Sequence, residues 1–192
     1  MKQAWIDHVP RVADYWSSFS APYRQRVTDL VDQYTPAGGA ILDFGCGVGV
    51  QTFLIRARRP DVTIYAVDCS PLAQNLTRVL CGHDPHLHVG DTPVFVDTIP
   101  EVDTLVSVYT CGYLEPDEVG RIMTALRQKS KVMILAEATP EENIVQARSG
   151  MPTHCYAYPY RYWFQTWGDQ VEIEPIEGDG FLNAITVVVK VP

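Results

Sequence analysis

The segment that most constrains the fold of this chain is residues 41–49, which read Ile-Leu-Asp-Phe-Gly-Cys-Gly-Val-Gly. A short apolar run ends in an acidic residue and gives way to alternating glycines, after which a helical pattern begins. Glycine allows tight turns and lets a ligand approach the main chain where a Cβ atom would block it. The segment therefore predicts a buried strand, a loop suited to holding a nucleoside close to the backbone, and a helix.

The spacing of these glycines differs from the fingerprint of dinucleotide-binding domains. That fingerprint, Gly-x-Gly-x-x-Gly, places a pyrophosphate on the N-terminus of the following helix. Its third glycine would fall at position 50, which is Val50. The spacing therefore disfavours a nicotinamide-dependent oxidoreductase.

Apolar or β-branched runs alternate with helical patterns through most of the chain. Short runs bounded by turn residues are typical of buried parallel strands, and apolar residues at helical spacing indicate the helices between them. This alternation predicts an α/β fold with a mostly parallel sheet and helices on both faces. Two last runs flank the turn residues 177–180 and predict an antiparallel C-terminal pair, which completes a seven-stranded sheet. The predicted strands are 40–44, 62–67, 86–90, 102–108, 131–136, 171–176 and 184–191, and the predicted helices include 50–58, 71–81 and 116–129.

Two segments depart from this alternation. Residues 10–34 show helical spacing divided at Pro22, and we expect residues 1–35 to form a helical lid or cap. Residues 139–168 are rich in aromatic side chains, with a helix expected from Pro159 to a stop at Gly168, and we expect a substrate-side insertion there. A length of 192 residues suits one domain, so we expect residues 1–192 to form a single domain.

Composition and charge limit the classes of partner and location. The formal net charge of −8 argues against nucleic acid, which is normally bound by a basic face. Arg56, Arg58 and Arg59 end a predicted helix, where solvated side chains that complement the helix dipole are expected. No apolar run reaches the roughly 18 residues of a membrane helix, and the N-terminus lacks an export signal, so we expect a cytoplasmic protein without membrane contact. The five cysteines form no Cys-x-x-Cys pair, and we expect them to be reduced.

Polar residues, most of them acidic, close successive predicted strands. Ligands of open α/β sheets bind outside the carboxyl ends of the strands, beside the point where the strand order reverses. A carboxylate at that edge offers paired acceptors for a ribose diol and attracts a cationic ligand. Asp68 could instead cap the next helix, Asp91 could belong to a turn, and Asp103 enters its strand as a surface or turn residue. The strand-closing residues are Asp43, Asp68, Asp91, Tyr109 and Glu137.

These features together resemble the class I S-adenosylmethionine (SAM)-dependent methyltransferases, whose motif I is an apolar strand, Asp or Glu, and Gly-x-Gly-x-Gly. The resemblance implies a Rossmann-like fold with SAM as cofactor and S-adenosylhomocysteine (SAH) as product. It also implies that Asp43 and the loop glycines hold the methionine end of SAM, that Asp68 accepts both ribose hydroxyls, and that Asp91 with Thr92 contacts the adenine edge. The implied cofactor site comprises Asp43, Phe44, Gly45, Cys46, Gly47, Gly49, Asp68, Cys69, Asp91, Thr92 and Tyr109.

Methyl transfer from a sulfonium is an in-line displacement, so the protein mainly has to align the reactants and exclude water. A nitrogen acceptor can react without a strong base, whereas a hydroxyl acceptor needs one. Glu137, Tyr109 and His154 are the candidate bases. A helix-capping or salt-bridged acid is the alternative interpretation of Glu137.

Aromatic side chains are concentrated near the N-terminus and between positions 156 and 167. Aromatic walls suit a flat acceptor and stabilise a sulfonium by cation–π contact. We expect Tyr15 and Tyr23 to line the acceptor pocket. Trp163 and Trp167 are expected to pack between helix and sheet.

Two groups of potential metal ligands occur in the sequence. Cys46, Cys69 and Cys111 fall at the same predicted sheet edge, where cysteine is expected to pack as a small apolar residue. The His-x-x-His-x-His cluster at 83–88 lacks a further ligand in the pattern and is expected to be a polar loop with a strand histidine. We therefore expect no metal site.

The residues thus predict a SAM-dependent methyltransferase that acts on an oxygen or nitrogen of a small-molecule acceptor, with the oligomeric state left open. After the fourth predicted strand the chain reads Tyr109-Thr110-Cys111-Gly112, which differs from the Asn/Asp-Pro-Pro-Tyr motif of enzymes that methylate exocyclic amines of DNA bases. Two alternatives stay open. One is a non-catalytic or regulatory SAM-binding protein of the same fold, and the other is an RNA or protein methyltransferase that uses a local surface patch.

Overall fold

The computed structural model describes residues 6, 20–91, 98–140, 146–148, 155–175 and 184–191. Three predicted site residues, Tyr15, Thr92 and His154, lie outside the described residues. The strands, in chain order, are β1 (Ala40–Phe44), β2 (Thr63–Val67), β3 (Leu87–Gly90), β4 (Val102–Val108), β5 (Ser130–Ala138), β6 (Gln146–Arg148), β7 (Cys155–Ala157), β8 (Gln170–Pro175) and β9 (Ala184–Lys190). The principal helices are α1 (Pro22–Tyr34), α2 (Val50–Arg58), α3 (Pro71–Cys81), α4 (Pro116–Lys129) and α5 (Tyr160–Thr166).

Seven of these strands form one sheet in the order β3-β2-β1-β4-β5-β9-β8. Strands β1 to β5 pair in parallel, and β9 runs antiparallel to both β5 and β8. The predicted mostly parallel sheet with an antiparallel C-terminal pair is confirmed. The strand order reverses between β1 and β4, so the carboxyl ends of these two strands border the crevice in which ligands of such sheets bind.

Helices cover both faces of the sheet because its central strands are apolar on both sides. On one face, Val31 of α1 and Ile55 of α2 share a buried core with Ile41. On the other face, Met123 of α4 shares a second core with Leu42. Successive residues of β1 therefore contribute to opposite cores, as expected for a strand that is buried on both sides.

Local sequence signals account for the bounds of α3 and α4. Glu115 and Glu118 form a capping box across the first turn of α4, which also contains a proline. Helix α3 follows Ser70, whose Oγ accepts the N–H of Ala73 at 3.3 Å. Both helices occupy the predicted residues.

Strand β5 is longer than predicted. It begins at Ser130, directly after α4, and continues to Ala138. Strand β9 pairs with it to the end, with Glu137 opposite Ile185 and Ala138 opposite Ala184. Glu137 consequently lies inside the strand, whereas the sequence prediction placed it where the strand ends.

The aromatic segment after β5 contains an element that the sequence did not predict, a two-stranded ribbon of β6 and β7. In and just before α5, Tyr158, Tyr160 and Phe164 are fully buried in the core. Trp163 and Trp167 pack against the same core, as predicted. These five aromatic residues therefore stabilise the fold, and their packing argues against a role as aromatic walls of a ligand pocket.

The arginines at the end of α2 are held in ion pairs. Arg56 pairs with Asp84 at 2.7 Å and Arg59 pairs with Asp61 at 2.8 Å, and both arginine side chains are 12% exposed. Arg58 is 57% exposed, so the predicted solvated cluster is correct for this residue but wrong for the other two. Carboxylates bound to Arg56 and Arg59 argue against a phosphate groove at this position. Within the described ranges, the chain has no helix with the length and apolar composition needed to cross a membrane.

Candidate functional site

The glycine loop between β1 and α2 is fixed to the carboxyl end of β2. Gly45, Gly47 and Gly49 have positive φ angles of 74°, 56° and 87°. The N–H groups of Gly45 and Cys46 donate to the carbonyl oxygen of Val67 at 2.8 and 2.9 Å. A residue with a Cβ atom is strained in this left-handed region, so the glycines permit this path of the chain.

Close packing is a second reason for two of these glycines. A Cβ atom on Gly45 would lie 2.0 Å from Cγ2 of Thr110, and one on Gly49 would lie 2.9 Å from Cα of Thr77. The same two threonines donate hydrogen bonds to the loop, from Thr110 Oγ1 to the carbonyl of Gly45 at 3.2 Å and from Thr77 Oγ1 to the carbonyl of Gly47 at 3.1 Å. The loop is therefore braced by α3 on one side and by the segment after β4 on the other.

Asp68 connects the glycine loop with the segment that follows β2. The residue is 3% exposed. Its Oδ2 atom accepts the N–H of Gly47 at 3.0 Å, and its Oδ1 atom accepts the N–H of Ser70 at 2.8 Å. Ser70 is the N-cap residue of α3, so the alternative interpretation of Asp68 as that cap is wrong. The carboxylate lies directly beside the loop, where a ribose is bound in sheets of this type.

Asp43 is buried beneath the glycine loop. It is 1% exposed and accepts a hydrogen bond from Oγ1 of Thr52 in α2 at 2.5 Å. Burial raises the pKa of the Asp43 carboxyl to about 6, and the hydrogen bond from Thr52 and the charge of Arg24 oppose this rise. Ionised Asp43 therefore has an energetic cost that a nearby cationic ligand would reduce.

Asp91 follows the last residue of β3 and is half-buried. Its Oδ1 atom is fully buried, and no described residue donates a hydrogen bond to it. Buried polar atoms in native proteins nearly always have a hydrogen-bond partner. This oxygen is therefore suited to accept an N–H group of a ligand, such as the exocyclic amine of adenine.

Tyr109 directly follows β4 and has a left-handed backbone, with a φ angle of 51°. This conformation is rare for a bulky residue and is often associated with functional sites. Its N–H donates to the carbonyl of Ala136 at 2.9 Å. Its ring meets that of Tyr23 from α1 edge to face, with the centroids 5.5 Å apart. The structure thus brings a predicted pocket residue, Tyr23, next to Tyr109.

Glu137 reaches from β5 to the segment that follows β4. The residue is 1% exposed. Its Oε1 atom accepts hydrogen bonds from Ser107 Oγ at 2.7 Å and from the N–H groups of Thr110 and Cys111 at 3.0 and 3.1 Å. Burial raises the pKa of the Glu137 carboxyl, and these hydrogen bonds oppose the rise. Cys111 begins a short 3₁₀ turn, so the carboxylate makes the contacts of a capping acid.

The structure brings predicted residues from five strands, β1 to β5, to one edge of the sheet. Phe44 and Cys46 have buried side chains, 1% and 7% exposed, so their contribution to the loop comes from the backbone. Cys69 is partly exposed beside Asp68. The side chains that hold the edge together, which sequence reasoning did not single out, are Thr52, Thr77, Ser107 and Thr110.

The potential metal ligands take up other contacts. No three Cys, His, Asp or Glu side chains converge in a metal-binding arrangement in the part of the chain that the structure describes. Cys46 and Cys111 pack in the two cores, as predicted, and burial raises the pKa of both thiols well above the usual range. His88 stacks on Tyr65 with the ring centroids 5.0 Å apart.

Comparison with solved structures reveals similar folds. A protein assigned as a methyltransferase, solved in complex with the Haloferax volcanii Trm112 methyltransferase activator, matches over 98% of this chain and 97% of its own, with 15% identity and a TM-score of 0.74. CalS10, an amino pentose methyltransferase from Micromonospora echinaspora solved with SAM, matches over 93% and 96%, with 16% identity and a TM-score of 0.68. Magnesium protoporphyrin IX methyltransferase from Synechocystis PCC 6803, also solved with SAM, matches over 88% and 79%, with 16% identity and a TM-score of 0.63.

No protein-family model and no curated protein matches the chain in sequence. The likeness is therefore one of fold, and it extends over nearly the whole chain. It agrees with the strand order and with the antiparallel C-terminal pair. The chain has the fold of the class I SAM-dependent methyltransferases.

Proposed function

We propose that this chain is a SAM-dependent methyltransferase that transfers a methyl group to an oxygen or nitrogen atom of a small-molecule acceptor. The observation that carries the proposal is the hydrogen bond between the glycine loop and Asp68, which lies at the edge where the strand order reverses. It joins the two groups expected to hold the methionine end and the ribose of SAM. Structures of similar fold solved with SAM bound support the same cofactor here.

Three carboxylates suit different parts of SAM. Asp43 supplies negative charge beneath the loop, where the ammonium and sulfonium charges of SAM would be stabilised. Asp68 lies beside the loop, and its carboxylate is suited to accept the ribose hydroxyls. The buried Oδ1 atom of Asp91 is suited to the adenine amine.

The acceptor side has an aromatic corner. Tyr23 and Tyr109 meet edge to face, and the guanidinium of Arg24 lies 5.4 Å from the centre of the Tyr23 ring. Aromatic rings suit a flat acceptor and stabilise a cationic sulfonium. The amino pentose and porphyrin methyltransferases of similar fold support a small-molecule acceptor, and the net charge of −8 opposes nucleic acid.

SAM supplies an electrophilic methyl group on a good leaving group. The residues of the chain then have to orient the acceptor in line with that methyl group and keep water out. A hydroxyl acceptor also has to lose its proton, for which Tyr109 and His154 are the candidate bases. An amine acceptor already neutral at the working pH requires no such base.

The first experiment measures binding. SAM, SAH and NAD are titrated separately into the purified chain by calorimetry. We expect SAM and SAH to bind because the acidic groups and the loop match their parts, and we expect NAD not to bind because Val50 occupies the place of the third glycine. Binding of NAD alone would overturn the proposal.

The second experiment measures turnover. SAM labelled in its methyl group is incubated with the chain and a panel of phenols, carboxylic acids and amino sugars, and we expect label on at least one of them. Binding of SAM without transfer to any acceptor favours a non-catalytic SAM-binding protein. Label on RNA or protein, with salt-dependent binding of RNA, favours a macromolecular methyltransferase.

A further inference from the structure

We propose that Glu137 is a positioning residue that binds the N–H groups of Thr110 and Cys111 and thereby holds Tyr109 in its left-handed conformation at the ligand-binding edge. The catalytic significance of this inference rests on the proposed function. The geometry itself is testable without cofactor or turnover. It replaces the interpretation of Glu137 as a general base.

The surroundings of the carboxylate are those of a structural acceptor. Its Oε1 atom accepts from one hydroxyl and two backbone N–H groups, and the residue is 1% exposed. The Ser107 hydroxyl that donates to Glu137 also lies 3.5 Å from the Cys111 thiol. A general base has to reach the proton of the acceptor directly or through one water molecule. The contacts of Glu137 instead connect it to the backbone of its own protein.

Three consecutive N–H groups after β4 are held by two consecutive residues of β5. The N–H of Tyr109 donates to the carbonyl of Ala136, and the N–H groups of Thr110 and Cys111 donate to the Glu137 side chain. Strand β5 lies between β4 and β9 and is paired on both sides, so this anchor is rigid. A peptide segment held at three successive donors has little freedom to rotate about the Tyr109 backbone.

The anchor explains how a strained tyrosine persists. A non-glycine residue keeps a left-handed conformation only where its surroundings determine it. If Glu137 withdrew its acceptor, we expect Tyr109 to relax towards an ordinary φ angle and its ring to lose the edge-to-face contact with Tyr23. The aromatic corner of the proposed acceptor pocket would then be disassembled.

Two substitutions separate the effect of the length of the Glu137 side chain from the effect of its charge. Glu137→Gln keeps an acceptor oxygen at the same distance from the backbone but removes the charge. Glu137→Asp keeps the charge but withdraws the carboxylate by one methylene group. A positioning role requires an acceptor oxygen that extends to the N–H groups of Thr110 and Cys111, whereas general-base catalysis requires a group that can take up a proton.

The primary measurement is hydrogen exchange at the amides of residues 110 and 111 in the free protein. We expect Glu137→Gln to exchange like the wild type and Glu137→Asp to exchange about tenfold faster or more, since the loss of hydrogen bonds to a charged group opens the segment locally. Asp103→Asn, which alters a carboxylate at the other end of β4, is the control and should leave both amides unchanged. Wild-type protection of both amides in folded Glu137→Asp overturns the proposal, and Glu137→Ala, which removes the acceptor altogether, replaces that variant if it fails to fold.

The second measurement uses turnover, with whichever acceptor receives the labelled methyl group. We expect Glu137→Gln to retain kcat within about threefold and the pH profile of the wild type, because its acceptor oxygen is intact. Loss of activity in Glu137→Gln with amide protection intact would identify Glu137 as a base and overturn the proposal. Failure of the wild type to bind SAM would count against the proposed function alone. Hydrogen exchange in the free protein tests the Glu137 contacts without SAM.

Discussion

Asp43, Asp68 and Asp91 lie at the ends of neighbouring strands but differ in what surrounds each carboxylate. Asp43 is enclosed and bound to Thr52, and Asp68 accepts backbone N–H groups from two segments. Asp91 has a buried oxygen to which no residue of the described ranges donates. We therefore expect substitutions of these residues to separate stability from ligand affinity.

Asp68→Ala removes the proposed ribose acceptor together with the acceptor for Gly47. We expect SAM affinity to fall by about 1.5–3 kcal/mol, the range for hydrogen bonds to a charged group. Calorimetric titration measures the change. Asp103→Ala is the control. It removes an acid at the amino end of β4, at the opposite edge of the sheet from Asp68, and should bind SAM normally. Unchanged affinity in folded Asp68→Ala would rule out the ribose assignment.

Asp43→Asn tests the cost of burying a charge. The pKa of this carboxyl rises from 3.8 to about 6 on folding, so the folded state binds more protons between these pH values. The contribution of Asp43 to stability is therefore full below about pH 4 and is lost as the pH rises through about 6. The contribution of Asp43 to the free energy of unfolding is therefore about 3 kcal/mol larger at low pH than at a pH well above its folded pKa.

We expect the unfolding free energy of Asp43→Asn to increase relative to the wild type as the pH rises from about 4 to about 7, because asparagine still accepts from Thr52 but has no charge to bury. Urea unfolding at several pH values measures both proteins. A difference that does not depend on pH would show that Asp43 does not titrate in this range.

At the scale of residues, the sequence could not assign the hydrogen-bond partners of the buried acids. The acids at the strand ends were predicted because they follow apolar runs. Their hydrogen bonds were not predicted, because Thr52, Ser107 and Thr77 lie in ordinary helical or strand positions and their partners are distant in sequence.

At the scale of elements, the glycine loop is packed against α3 through Thr77. Gly49 and Gly168 both have left-handed backbones, with φ angles of 87° and 79°. A Cβ atom on Gly168 would meet no described atom within 4 Å, whereas one on Gly49 would meet Cα and Oγ1 of Thr77 at 2.9 Å. The two positions therefore share backbone strain but differ in available space.

We expect Gly168→Ala to lower the unfolding free energy by about 1 kcal/mol through backbone strain. Gly49→Ala should cost a further 1–3 kcal/mol, roughly, because the added atom overpacks the contact with α3. Urea unfolding of both variants measures the difference. Equal losses would show that α3 moves aside without cost.

The elements that were predicted correctly are those with local signals. Helix α4 has a capping box and an apolar face of its own, and four of the seven residues of β4 are Val or Leu. The β6–β7 ribbon and the last residues of β5 instead depend on pairing with segments further along the chain. Because β5 pairs with β9 as far as Ala138, Glu137 lies inside β5 and not at the predicted strand end.

At the scale of the whole molecule, long-range contacts fix the C-terminal part of the fold to its centre. Arg127 of α4 donates from Nε to Oδ2 of Asp169 at 2.7 Å, and the Asp169 side chain is fully buried. This ion pair connects α4 to the segment between α5 and β8. The predicted helical cap at residues 1–35 and the substrate-side role of residues 139–168 stay predictions.

A ligand that binds only the folded chain should stabilise all of it. At a SAM concentration one hundred times the dissociation constant, we expect a gain of about 2.7 kcal/mol. For a chain of this size the Tm should rise by about 5–10 °C. Thermal unfolding with SAM, and with NAD as the control, measures the effect. A rise with NAD and none with SAM would contradict the assignment of the cofactor.

The enclosed carboxylate of Asp43 also links cofactor binding to the release of protons. Near pH 6 roughly half of the molecules carry a proton on Asp43, and a cationic ligand above it should expel that proton into the solution. The heat of SAM binding at this pH should then differ between phosphate and imidazole buffers, because each takes up the proton with its own enthalpy. The acidity of the medium would therefore modulate the occupancy of the glycine loop through a side chain that has almost no contact with solvent.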